Sequence, residues 1–206
     1  GDNPIDYARI AVYVDGKRVV DEMINCAEKE VTVIDRTENA RSVVEIIKLS
    51  ESPMSAVGIE AFAEGSAEAL PEKPLKIEFI GDSITCGYGV DDEDENHQFT
   101  TATEDVTKAY AYKTAKALDA EYSMFSASGY GIISGYTEGD EPISEQTIPQ
   151  FYCSYGFSRG NFAGTAPQDI PWDFSKYIPQ IIVINLGTND DSYCRDYKDR
   201  QAVFSK

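Results

Sequence analysis

Ile178 to Leu186 (Ile-Pro-Gln-Ile-Ile-Val-Ile-Asn-Leu) is a continuous apolar strand, the pattern expected where helices cover both faces of a parallel sheet. Parallel neighbours need crossover connections, so the rest of the chain must supply them. Ile77-Glu78-Phe79-Ile80 is a shorter apolar run that stops abruptly at Gly81, and Tyr122 to Ala127 reads as another strand. Between these two, Thr107 to Leu118 is rich in helix formers. Tyr110, Thr114 and Ala117 fall near one face of that helix, with Glu104 and Asp105 favourably placed at its start. Strand, helix, strand, long excursion and strand together predict an α/β fold with a doubly wound parallel sheet. No internal repeat is present.

Residues 6–66 have a different texture. Ile10, Val12 and Val14 alternate with Ala11, Tyr13 and Asp15, the period of a half-buried strand. Asp15-Gly16 supplies the positive φ angles of a tight hairpin, and Val19-Val20 begins the return strand. Val31 to Ile34, Val43 to Leu49 and Val57 to Phe62 are three further β-rich runs. The expectation is a small antiparallel β-sandwich, jelly-roll-like, over residues 1–70, with the α/β domain over 71–206. Ser66 to Lys76, with two prolines and no periodicity, marks the boundary. So few strands make a thin sandwich, which implies further strands upstream of Gly1.

Charge narrows the function classes. Asp and Glu number 36 against 18 Lys and Arg, a formal net charge of −18. Such a chain repels phosphate backbones and anionic bilayer surfaces, so no nucleic-acid and no membrane partner is expected. No apolar stretch approaches the roughly 20 residues that span a bilayer. Gly1-Asp2-Asn3-Pro4 resembles neither a charged signal start nor an apolar signal core. Cys26, Cys86, Cys153 and Cys194 lie far apart and suit buried free thiols better than a disulfide scaffold. A single histidine, His97, argues against a zinc site.

The chemistry-bearing residues sit where the strands end. A buried strand running into Gly81-Asp82-Ser83 would leave the Ser83 hydroxyl just past its carboxyl end, the edge at which open α/β sheets bind ligands. Ser83 would then either cap a helix or begin one, presenting its own N–H to developing negative charge. Gly-Asp-Ser alone favours the capping reading. Ser126-Ala127-Ser128-Gly129-Tyr130-Gly131 and Asn185-Leu186-Gly187-Thr188-Asn189-Asp190 follow the other two strands. A parallel sheet would gather the three clusters, combining a nucleophile, a backbone donor and a side-chain amide.

On these blocks the chain resembles the SGNH (GDSL-like) hydrolases, and more specifically carbohydrate esterase family two, acetyl esterases that join a β-sandwich to a flavodoxin-like SGNH domain. The likeness also takes in Tyr13 to Gly16, Thr101 to Asp105 and Pro171 to Phe174. It implies that Ser83 is the nucleophile. The oxyanion hole would be the N–H groups of Ser83 and Gly129 with the Asn189 side-chain amide, Gly131 competing for the glycine's part. Asp82 and Asp190 would hold backbone and loops, with Asp190, Tyr130 and Tyr88 also candidates to contact the substrate. The substrate implied is acetylated plant cell-wall carbohydrate, with no metal and no cofactor.

The family's base is a histidine after the Asn block, and none follows Asn189 here. His97 comes fourteen residues after Ser83 in the acidic loop Asp91 to Gln98, and is expected to be solvated or at the substrate rim. The chain therefore reads as a fragment whose missing C-terminal part carries the base. Two other readings remain: an SGNH hydrolase of lipids or thioesters, and a carbohydrate-binding protein without catalysis. Carbohydrate substrate slightly favours a secreted protein over a cytoplasmic one. Oligomeric state has no signature in the sequence.

Overall fold

The computed structural model describes residues 3–36, 38, 40–62, 66–139, 141–161 and 164–195. Strands β1 (Ala8–Val14), β2 (Lys17–Ile24) and β3 (Val44–Lys48) form an antiparallel sheet of order β2-β1-β3. Val14 pairs with Lys17 across Asp15 and Gly16, whose φ angles of 51° and 79° make the hairpin turn that the dipeptide predicts. Val31–Ile34 and Val57–Phe62, expected as β-rich runs, are not strands. β-branched residues form a strand only where a ladder partner and a covering layer exist. Here Ile34, Ile59 and Phe62 are exposed, so the small β unit is one sheet and not two among the described residues.

The second sheet is parallel: β4 (Lys76–Gly81), β5 (Glu121–Ser126) and β6 (Ile181–Asn185), in the order β5-β4-β6. β4 is central and buried, and Ile77 and Phe79 pack on Ala111, Ala115 and Ala120. The small alanines let helix α2 (Tyr110–Ala117) lie close to the sheet. Its buried face is Ala111, Tyr112 and Ala115; Thr114 and Ala117, expected on that face, are exposed. The helix also starts later than predicted, because Val106–Lys108 is a separate 3-10 turn capped by the Asp105 carboxylate, which accepts from the Thr107 N–H. Residues 66–75 carry no helix or strand.

β6 overturns one expectation. Ile181, Ile182 and Ile184 are 43–64% exposed, and β6 pairs with β4 alone. The strand covered on both faces is β4, because it is central; β6 is an edge of the described sheet. Cys86 and Cys194 are buried, but Cys26 and Cys153 are exposed. No helix among the described residues is long and apolar enough to cross a membrane.

The two units share a core: Ala11, Ile47 and Leu49 of the β unit pack with Tyr112 of α2 and with Tyr122 and Met124 of β5. Arg9 ties them electrostatically. Its guanidinium donates to both Asp21 oxygens and to Asp91, each at 2.8 Å, and to the Ala102 and Glu104 carbonyls. Asp91 is thus held by Arg9 and by Lys108. Arg9→Met, which keeps the apolar stem, should lower unfolding stability by about 2–3 kcal/mol because carbonyls and Asp91 lose their donor. An unchanged urea midpoint would count against this bridge.

Candidate active site

Gly81 of β4 pairs with Ser126 of β5 on one side and with Asn185 of β6 on the other. Neighbouring strands lie about 4.8 Å apart, so the three chemistry-bearing segments leave the sheet side by side. Helix α1 (Ser83–Cys86) begins at once after β4. Asp82, not Ser83, is its cap: the Asp82 carboxylate accepts from the Ile84 N–H at 3.1 Å. The Ser83 hydroxyl is thereby released from capping. It is half-buried and makes no hydrogen bond among the described residues, and neither does the Ser83 N–H.

After β5 the chain turns through Gly129, whose φ of +80° suits glycine and whose missing Cβ would meet nothing within 4 Å. Its carbonyl accepts from Tyr136, while its N–H has no acceptor among the described residues. Gly131 is different. Its N–H donates to the Gln146 carbonyl, and a Cβ there would lie 2.1 Å from the Ser134 carbonyl oxygen and 2.6 Å from Asp190 Oδ2. Gly131 is consumed by packing; Gly129 faces open space.

After β6, helix α3 (Thr188–Cys194) carries Asn189 and Asp190, both buried. Asn189 Nδ2 donates to the Tyr130 carbonyl at 2.8 Å. That bond uses one amide proton and orients the group, leaving the second proton available.

No protein-family model matches the chain. It is 35% identical over 182 residues to the cellulase/esterase CelE of Acetivibrio thermocellus, covering 87% of this chain and 21% of that protein. An acetylxylan esterase/glucomannan deacetylase of Cellvibrio japonicus is 33% identical over 171 residues, covering 82% of this chain and 41% of that protein. The solved family two carbohydrate esterase from Clostridium thermocellum, in complex with cellohexaose, superposes with a TM-score of 0.70 at 29% identity, over 90% of this chain and 54% of that one. In sequence and in fold the chain is similar to the family two carbohydrate esterases. It spans 21–42% of the length of its curated relatives.

Two of the candidate substrate contacts, Asp190 and Tyr130, are buried. Asp190 is 1% exposed, and its carboxylate accepts from the N–H groups of Ile132, Ile133 and Ser134 at 2.6–3.1 Å. It holds the loop after Gly131 and is not available to a sugar. Tyr130 is buried with Ile80, Ala127 and Ile148, its ring about 6 Å from those of Phe151 and Phe157. Tyr88 is 46% exposed and stacks on Phe99, ring centroids 3.8 Å apart. His97 is solvated as expected: Nδ1 lies 2.8 Å from Asp92, and no hydrogen bond links the ring to Ser83.

One cluster escaped the sequence reading. Glu51, in the loop after β3, is buried against Cys86 of α1 and Glu104. Glu51 Oε2 accepts from the Ser128 N–H at 2.6 Å, and Glu104 Oε2 accepts from the Glu51 N–H at 2.9 Å. Lys48 Nζ donates to the Ser50 and Glu51 carbonyls. Burial pushes the Glu104 carboxyl up to about 8, helped by the charge of Glu51, and pulls the Lys48 ammonium down to about 8. Burial likewise raises Glu51 and the Cys86 thiol. Donor atoms of Glu51, Cys86 and Glu104 lie within 4.8 Å of one another, the set among the described residues that could hold a metal ion. Lys48 already brings a positive charge to the same place. Neither Glu51 nor Glu104 belongs to a periodic pattern, so only their packing reveals them.

Because the folded Glu104 value lies above the ordinary 4.5, the native state keeps a proton that the unfolded chain releases between about pH 4.5 and pH 8. Stability should therefore fall as pH rises through that window, by about 1–3 kcal/mol after allowance for coupling to Glu51 and Lys48. Glu104→Gln keeps an oxygen acceptor for the Glu51 N–H and should flatten the slope. Urea midpoints at several pH values test it; an equally steep slope in Glu104→Gln would refute the assignment.

Proposed function

We propose that this site removes O-acetyl groups from plant cell-wall polysaccharide or oligosaccharide of the acetylxylan or glucomannan type. Ser83 Oγ attacks the acetyl carbonyl carbon, and its proton passes to a base. The carbonyl oxygen takes the negative charge. It would be met by the N–H groups of Ser83 and Gly129 and by the remaining amide proton of Asn189. Collapse breaks the bond to the sugar oxygen, which leaves as the protonated hydroxyl, and acetyl-Ser83 remains. Water then attacks the acyl-enzyme and releases acetate. Tyr88, whose N–H is bonded to the Ser83 carbonyl and whose ring is fixed on Phe99, offers a face on which a sugar could stack.

The observation that carries this reading is the alignment of three neighbouring strand ends, which lead to a hydroxyl and a glycine N–H that are unbonded among the described residues and to an oriented amide. The names of the relatives, acetylxylan esterase/glucomannan deacetylase among them, support the substrate class. A second reading, carbohydrate binding without turnover, is favoured by one fact: the sequence's histidine is bonded to Asp92 and does not serve Ser83.

Acetyl trapping separates the two. This chain and a C-terminally extended one are incubated with p-nitrophenyl acetate, with acetylated xylan oligosaccharide and with a long-chain ester. The expected result is one acetyl group on the peptide containing Ser83, with acetate released from the oligosaccharide and little action on the long-chain ester. Saccharide binding with no acetylation in either chain favours the binding protein, and turnover of the long-chain ester alone favours a lipid-directed hydrolase.

A further inference from the structure

We infer that Glu51 is a positioning residue for the oxyanion hole, a carboxylate sent from the N-terminal β unit to hold the Ala127–Ser128 peptide, the one directly before the peptide that carries the Gly129 N–H. The role rests on the esterase reading above and deepens it. The donor in question belongs to the Ser128–Gly129 peptide, and Gly129 at φ +80° is the residue least able to hold itself in place. Downstream, the Gly129 carbonyl is fixed by the Tyr136 N–H at 2.7 Å. Upstream, the Ser128 N–H is fixed by Glu51 Oε2 at 2.6 Å, a short, charge-assisted bond to a side chain 77 residues away.

Glu51 also reaches the nucleophile's helix. Cys86 Sγ, three residues beyond Ser83, lies 3.8 Å from the same Oε2 and 3.3 Å from Ser126 Oγ. One oxygen therefore touches both segments whose relative position sets the distance from nucleophile to oxyanion donor. Holding a carboxylate here is costly: Glu51 is 6% exposed, and its Oε1 and that of Glu104 are buried without a partner. The groups facing Glu51 are Lys48, Cys86, Glu104, Tyr88 and Tyr130, of which Lys48 alone is cationic. Lys48 balances the charge, while Glu104 accepts from the Glu51 N–H and anchors the loop.

The test combines amide hydrogen exchange at Ser128 and Gly129 with ester kinetics, for wild type, Glu51→Ala and Glu51→Gln, in whichever chain forms acetyl-Ser83. In Glu51→Ala the Ser128 amide should exchange about tenfold faster while amides of β1, β4 and α2 keep their protection. Its kcat should fall on the order of 10²-fold with KM within about twofold, as for loss of an oxyanion donor. Glu51→Gln, which keeps an oxygen acceptor, should recover at least part of both losses. The inference is overturned if Ser83 acylates normally but the Ser128 amide ignores Glu51→Ala. It is overturned equally if all amides lose protection together, or if Glu51→Gln is as damaged as Glu51→Ala in both readouts. Failure of the esterase reading looks different: Ser83 never acylates in any chain, even though the Ser128 amide responds to Glu51→Ala, and the catalytic role of Glu51 then falls with it.

Discussion

Ser83→Ala should reduce acetyl-ester turnover by about 10⁶, to a residue set by binding and the oxyanion donors. The loss is that large because no neighbouring group can replace the attacking oxygen. Cys86, the nearest thiol on α1, is buried, and burial keeps it protonated. Fold should be untouched, since the Ser83 hydroxyl has no hydrogen-bond partner among the described residues and Asp82 caps the helix. Asn189→Ala provides the graded comparison, costing about 10²–10³ in kcat by removing one donor. Release of p-nitrophenol at saturating ester reports both. Equal activity of Ser83→Ala and wild type removes the nucleophile; a collapse of the far-ultraviolet spectrum in Ser83→Ala removes the claim that its role is chemical.

Asp190→Ala should have the largest effect on folding, about 3–5 kcal/mol. Its carboxylate is the acceptor for three successive N–H groups, at Ile132, Ile133 and Ser134, in a place with 1% exposure. Removing it orphans one buried donor, the Ser134 N–H, and two part-buried ones at about 1–3 kcal/mol each, partly recovered by entering water. Activity should fall too, because the same turn leads from Gly131 back to the Gly129 carbonyl. Asp190→Asn should be milder, keeping one oxygen but placing an NH2 against donors. A melting temperature of Asp190→Ala equal to wild type would show that the carboxylate does not brace the loop.

Much of the fold was legible because its causes are local. Asp15-Gly16 predicts its hairpin since positive φ at both positions is a property of those residues. The run that stops abruptly at Gly81 ends a strand there, and the runs expected to reach Ala127 and Leu186 end one residue earlier, at Ser126 and Asn185. What depends on neighbours was misread. Val31–Ile34 and Val57–Phe62 have strand composition but no ladder partner. β6 has the composition of a doubly covered strand yet lies at an edge of the described sheet. Tyr130 looked like a loop ring free to meet a sugar, but it is packed in an aromatic cluster.

The same division holds at the site. Strand ends marked the three segments, and the resemblance to SGNH hydrolases named Ser83, Gly129 and Asn189 within them, with Gly131 competing for the glycine's part. Packing separates the two glycines: the Gly131 N–H is bonded to the Gln146 carbonyl, while that of Gly129 has no acceptor among the described residues. Pattern and composition determined the order of elements, the parallel sheet and the edge where chemistry would gather, because hydrophobic period and turn residues act within a few positions of themselves. Only the tertiary structure decided that Glu51, Cys86, Glu104 and Lys48 meet behind that edge. Desolvation and charge coupling act through space, between side chains that nothing along the chain connects.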